Sequence, residues 1–224
     1  MKQAKRAKQS NKKTVSAIVL LLILALIVVG GTIAWLTRTS SVSNIFTVGS
    51  FETPSTSPTN PETPITIDGN IYEPSWNAEE EHKLIPDATF EKDPYVGIGK
   101  GSEDATVYVY VDNSFSDKVY FTINSGWEAV EATEGFAEDT YTSGLFKYTA
   151  GLTGSTSQDV WTTTPLFSSV VTDETATSED FTVEEGDLEI KVSAFLHQTK
   201  DSSGSPISED TIKQAAKDAF GIGQ

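Results

Sequence analysis

Cysteine is absent from this chain, and the only methionine is Met1. Disulfides, thiolate metal sites and cysteine nucleophiles are thereby excluded, so stability has to come from burial and sheet hydrogen bonding. Histidine is almost as scarce: with only His82 and His197, a helix-borne His-Glu-x-x-His site cannot be built. Positive charge is thin beyond the N-terminus, since ten basic residues follow Ala34 against all 32 acidic ones, a formal balance of −22. Such a body repels nucleic acid and anionic membrane or wall polymers, and neither is expected to be held through charge. The final residues, Phe220 to Gln224, carry no LPxTG-like motif and no apolar tail, so sortase attachment is not supported.

What is present is concentrated between Thr14 and Phe51. Six basic residues (Lys2, Lys5, Arg6, Lys8, Lys12, Lys13) precede Ala17 to Val29, a run without a polar side chain. Clustered Lys and Arg stay on the cytoplasmic side while the apolar run enters the bilayer, so the chain is expected to thread N-in, C-out. Val15 to Trp35 would cover about 30 Å as a helix, which suits a membrane anchor as well as a signal segment. Thr32 and Ala34, small residues at the minus-three and minus-one positions, favour cleavage between Ala34 and Trp35. After a polar spacer comes Asn44, Ile45, Phe46, Thr47, Val48, Gly49, Ser50, Phe51, read as the first strand of the exported body.

Gly30-Gly31-Thr32-Ile33-Ala34-Trp35-Leu36-Thr37 followed by Asn44-Ile45-Phe46-Thr47-Val48-Gly49 resembles the SipW-dependent signal peptide and first mature strand of the TasA/camelysin family of Gram-positive bacteria. Arg38 stands where that family often has an acidic residue. Two further parts are similar to the family: a Val-rich strand after Lys92-Asp93-Pro94, and a closing strand and Ala-rich helix from Ile190 to Phe220. The resemblance implies a β-sheet surface or matrix protein that forms fibres, with a signal peptidase as a partner during export.

Residues 53–64 hold four of the nine prolines and no large apolar side chain, which predicts a stiff, solvated polyproline-like linker. Beyond it, Ile65 to Tyr72 reads as two extended pieces around Asp68-Gly69. Pro86 and Pro94 then mark edge strands and turns between Leu84 and Val96. Period-two alternation at Val107, Val109, Val111 and again at Val119, Phe121, Ile123 predicts an antiparallel hairpin. Further strands are expected at Leu145 to Thr149 and Leu166 to Thr172. The clearest has Leu188, Ile190, Val192, Ala194 and Leu196 on one face and Glu189, Lys191, Ser193, Phe195 and His197 on the other. One helix is expected, capped by Ser208 and ended by Gly221. The fold class is therefore all-β: an antiparallel β-sandwich or jelly roll with a C-terminal helix, preceded by a cleavable N-terminal signal helix. Its parts are 1–34 (signal peptide or membrane anchor), 35–52 (mature N-terminal segment with the first strand), 53–64 (linker) and 65–224 (sandwich).

Because camelysin is known as a metalloprotease, the resemblance implies a search for a metal site. His82 with Glu79, Glu80 and Glu81 reads better as a solvated acidic turn, and His197 as a half-exposed residue at a strand end. Gly97-Ile98-Gly99-Lys100-Gly101 lacks the spacing of a phosphate loop and reads as a turn. Asp112, Asn113 and Asp117, or Asp201, have the hard oxygens calcium takes, yet turn formation explains them better. Trp76, Trp127 and Trp161 suit a sugar platform or core filling equally. No catalytic, cofactor or metal residue is assigned. The expectation is a secreted or cell-surface structural protein, not an enzyme, which self-associates by strand addition with 44–51 as donor. It touches membrane only through its N-terminal segment. The alternative is a monomeric surface binding module or adhesin, anchored or free.

Overall fold

Apolar alternation over 105–113 and 190–198 produces the two longest strands, and the main sheet is organised around their pairing. The computed structural model describes residues 35–36, 46–67, 69–76, 82–83, 85–181 and 189–223. The expected signal helix over 1–34, Asn44 and Ile45 of the expected donor, Glu79 to Glu81 and Leu188 lie outside them. The strands are β1 (Trp35–Leu36), β2 (Phe46–Val48), β3 (Ile71–Tyr72), β4 (His82–Lys83), β5 (Thr89–Glu91), β6 (Tyr95–Ile98) and β7 (Ala105–Asn113). They continue with β8 (Val119–Phe121), β9 (Trp127–Glu134), β10 (Tyr141–Tyr148), β11 (Val160–Trp161), β12 (Ser169–Thr172) and β13 (Ile190–Gln198). A 3-10 turn spans Ser178–Phe181, and one helix, α1 (Glu209–Ala219), follows β13.

Among the described residues, eight strands form a curled half-barrel in the order β2-β13-β7-β10-β8-β12-β5, with β9 paired to β10. β11, β6 and β3 make a second, three-stranded sheet, and β1 pairs with β4. The pairing is antiparallel throughout, apart from β2 on β13. Among the described residues the chain is thus all-β, with a single α-helix at the C-terminal end.

The hairpin expected between 107–111 and 119–123 does not form. β7 pairs with β13 and β10, whereas β8 pairs with β10 and β12. The loop between them is held in another shape by Asn113, whose Oδ1 accepts the Phe115 N–H (2.9 Å) and whose Nδ2 donates to Val119 O (2.8 Å). The hairpin that does form joins β9 to β10, closed by Gly135 N–H on Thr140 O at 3.0 Å, with Asp139 at φ 58°.

Val107, Val109 and Val111 are fully buried on one face of β7, and Tyr108 is fully buried on the other. Both faces of β13 are likewise covered from Val192 to His197. The second cover is α1. Ser208 Oγ accepts the Thr211 N–H, Glu209 and Asp210 occupy its positive first turn, and Gly221 at φ 70° follows its end. Its Ile212 and Ala216 pack on Tyr108, Leu145 and Phe195, and Phe220 stacks on Tyr110 at 5.3 Å. Lys147 of β10 ties this layer together by pairing with Glu209 of α1 and, at 3.4 Å, with Glu128 of β9.

Candidate functional site

The N-terminal strand and the segment after it meet the body along one seam. β2 runs parallel to the end of β13, with Phe46 opposite Phe195, Thr47 opposite Leu196 and Val48 opposite His197. Val48 is exposed, as expected of the outermost strand of a sheet. Gly49 then turns the chain at φ 130°, and a Cβ there would come within 3.0 Å of Gln198. Only glycine makes that turn without strain.

From Ser50 onward the chain is held at almost every step. Ser50 O accepts from Glu103 N–H, Glu52 N–H donates to Ser102 Oγ (2.8 Å), and Glu52 O accepts from Gly99 N–H (2.6 Å) and Asn70 Nδ2 (3.2 Å). Asp159 is the centre of the next contacts. Its Oδ2 accepts the N–H groups of Ser55 (2.7 Å) and Thr56 (2.9 Å) and both their hydroxyls, while Oδ1 accepts Lys100 N–H (2.9 Å). Trp161 Nε1 donates to Thr56 O at 3.0 Å, and Pro54 and Ser57 are buried. A bridge between Thr56 and Pro64, with Ile65 N–H on Ser55 O, folds the rest of the segment back on itself. Residues 54–57 are therefore tied to the body, whereas 59–64 are exposed, as their composition predicts. Proline fixes extended dihedrals but leaves carbonyls and neighbouring N–H groups free, and here the β11/β6 sheet supplies their partners.

The Gly97 to Gly101 stretch has the same cause. A Cβ on Gly97 would run into the Trp161 ring, and one on Gly99 would lie 2.6 Å from Thr53 O. Gly97 is in β6 and Gly99 at the crossing, with the turn confined to the residues that follow.

Burial opposes the Asp159 charge, but the N–H groups of Ser55 and Lys100 and the Thr56 and Ser55 hydroxyls outweigh it and hold the carboxyl below its usual range. The sign follows: a depressed folded value stabilises the contact above the unfolded value of about 3.9, and this is lost as pH falls through the lower folded value. The amide NMR signals of Ser55 and Thr56 are expected to stay at their neutral-pH positions down to about pH 4 and to move below it. Movement already complete at pH 5 would contradict the assignment.

The other sequence candidates are not brought together. His82 pairs through its backbone with Leu36, and Trp35 with Lys83. His197 is buried, contrary to the half-exposed position expected, because β2 extends the sheet past it; its Nδ1 lies 2.7 Å from Gln198 O. Asp201 Oδ1 accepts Ser203 N–H, Ser205 N–H and the Ser203 hydroxyl, the turn-forming role its neighbours suggest. Among the described residues no three His, Asp or Glu side chains converge as a metal site. The indoles are each committed elsewhere: Trp127 to Thr164 O and the Tyr148 ring, Trp161 to Thr56 and Gly97, Trp76 to the Lys92 ammonium. That ammonium forms a buried ion pair with Glu73 at 2.8 Å, beside Asp93, whose carboxyl is pushed up by burial against the hydrogen bonds from Ser75. With side chains 6% and 4% exposed, Lys92 and Glu73 are structural groups out of reach of a substrate.

Sequence reasoning missed Asp159 and Asn70, and it singled out Trp161 without seeing its contact with Thr56. The one signal available was Gly97-x-Gly99 without a phosphate-loop context, which marks close approach of another backbone. No family model matches the chain, nor does any curated protein or solved structure.

Proposed function

We propose that the chain is an exported cell-surface or matrix protein, a TasA-like structural subunit that self-associates by strand addition. A signal peptidase cuts between Ala34 and Trp35, and the sheets close as a sandwich of jelly-roll type. Residues 44–51 of one copy then replace the equivalent strand on the β13 edge of the next. The observation that supports this reading is the parallel placement of Phe46–Val48 on β13. Three residues at a sheet margin form a small pairing surface, and an identical strand from a neighbour satisfies the same N–H and C=O groups equally well. The function is association, and no catalytic role is assigned.

One observation favours the alternative, a monomeric surface binding module. The chain fills its own β13 edge, so no bare edge remains there to recruit a neighbour. A single experiment separates the two readings. Deleting Asn44 to Phe51 from the exported protein is expected to abolish fibres in electron micrographs, and unchanged fibres would remove the donor role.

A further inference from the structure

We infer that Asp159 and Gly99 form a clamp that fixes the reach of the N-terminal strand, and that Gly49 is the hinge about which it exchanges. This inference rests on the strand-addition reading above. The seam divides sharply in how it is held. Downstream of Gly49, Glu52, Ser55 and Thr56 are fixed by Ser102, Gly99, Asn70, Asp159 and Trp161. Upstream, Phe46–Val48 have only a short pairing at the sheet margin. Gly49 lies at the boundary, with a φ of 130° that allows the strand to leave while the clamp remains.

The distance that follows is small. Six residues from Glu52 to Phe46 span about 20 Å when extended, so a second copy has to offer its β13 within that distance of the first copy's Glu52. With the clamp released, the next fixed point is Asn70 and β3, and the span grows to roughly 80 Å. The clamp therefore keeps neighbouring copies abutting and their spacing regular.

The test uses the full exported chain, whose lack of cysteine makes a disulfide trap clean. In V48C/H197C, strand exchange is expected to give a ladder of intermolecular disulfides on non-reducing gels. In the same assemblies, the Ser55 and Thr56 amides are expected to resist deuterium exchange as well as in the unassembled chain. A ladder with both amides exchanging freely overturns the clamp but leaves strand addition standing. An intramolecular disulfide alone removes strand addition, and this inference with it. Should H197C disturb the buried β13 end, deuterium exchange at Ser55 and Thr56 in assemblies of the unsubstituted chain still decides the clamp, and the deletion of Asn44 to Phe51 decides strand addition. Asp159→Ala is expected to make the fibre repeat irregular or longer, and a repeat identical to the parent's overturns the clamp.

Discussion

Lys92→Met is expected to destabilise the fold by about 3–5 kcal/mol, because it leaves the Glu73 carboxylate buried without its counter-charge. The Lys92 ammonium lies 2.8 Å from Glu73 Oε2 and 4.7 Å from the centre of the Trp76 ring. Among the described residues Glu73 Oε1 has no hydrogen-bond partner, so the pair is imperfectly satisfied even when intact. That detail decides the sign of the double variant. Replacing both members, as Lys92→Met with Glu73→Leu, removes the desolvation cost of two charges along with their attraction. It is expected to recover most of the loss, since buried pairs exchanged for apolar groups of like volume are often neutral or stabilising. Urea unfolding of the parent, both single variants and the double gives the coupling directly. A loss under about 1 kcal/mol for Lys92→Met would show that water reaches Glu73 and that the pair is not closed off.

Phe121→Ala is expected to cost a similar amount, about 3–5 kcal/mol, through the cavity it leaves. Phe121 is fully buried, its ring 4.4 Å from that of Phe167 and 5.6 Å from that of Phe146. Its place in the sheet adds a second effect. β8 joins β10 to β12 through Phe121 itself, which stands opposite Tyr141 on one partner and Val170 on the other. Loosening this three-residue strand frees β12 and β5 before the rest, so their amides are expected to exchange faster than those of β7 and β13 in the variant. The control is Phe136→Ala: this ring is exposed and touches the Lys118 ammonium at 5.5 Å, a contact that contributes at most about 1 kcal/mol. Equal losses for Phe121 and Phe136 would refute the placement of both.

The parts of the fold legible in the sequence are those decided within a few residues. α1 is written out by Ser208, its acidic first turn, the Ile212 and Ala216 spacing and Gly221. β7 and β13 show themselves by alternation. Alternation tells which face a side chain takes but not which strand lies alongside, and so β7 and β8 look like a hairpin although β10 stands between them in the sheet. β9 is hidden for a different reason. Glu128, Ala129, Glu131 and Ala132 are poor strand formers, and tertiary pairing with β10 overrides them. The seam is the least legible of all, since Asp159 is 104 positions from Ser55 and neither residue type is unusual for a loop. Composition reads Ser55 and Thr56 as solvated because it cannot see a carboxylate brought to them by the fold.

The parallel pairing of β2 with β13 also has a consequence in time. Val48 leaves the ribosome about 150 residues before His197, which at ordinary elongation rates is an interval of roughly 7–30 s. Throughout that interval the first strand has no mate within its own molecule, and the last strand to be made is the one that ends its wait. Conditions that crowd nascent copies together favour a neighbour's strand, and dilution favours the chain's own.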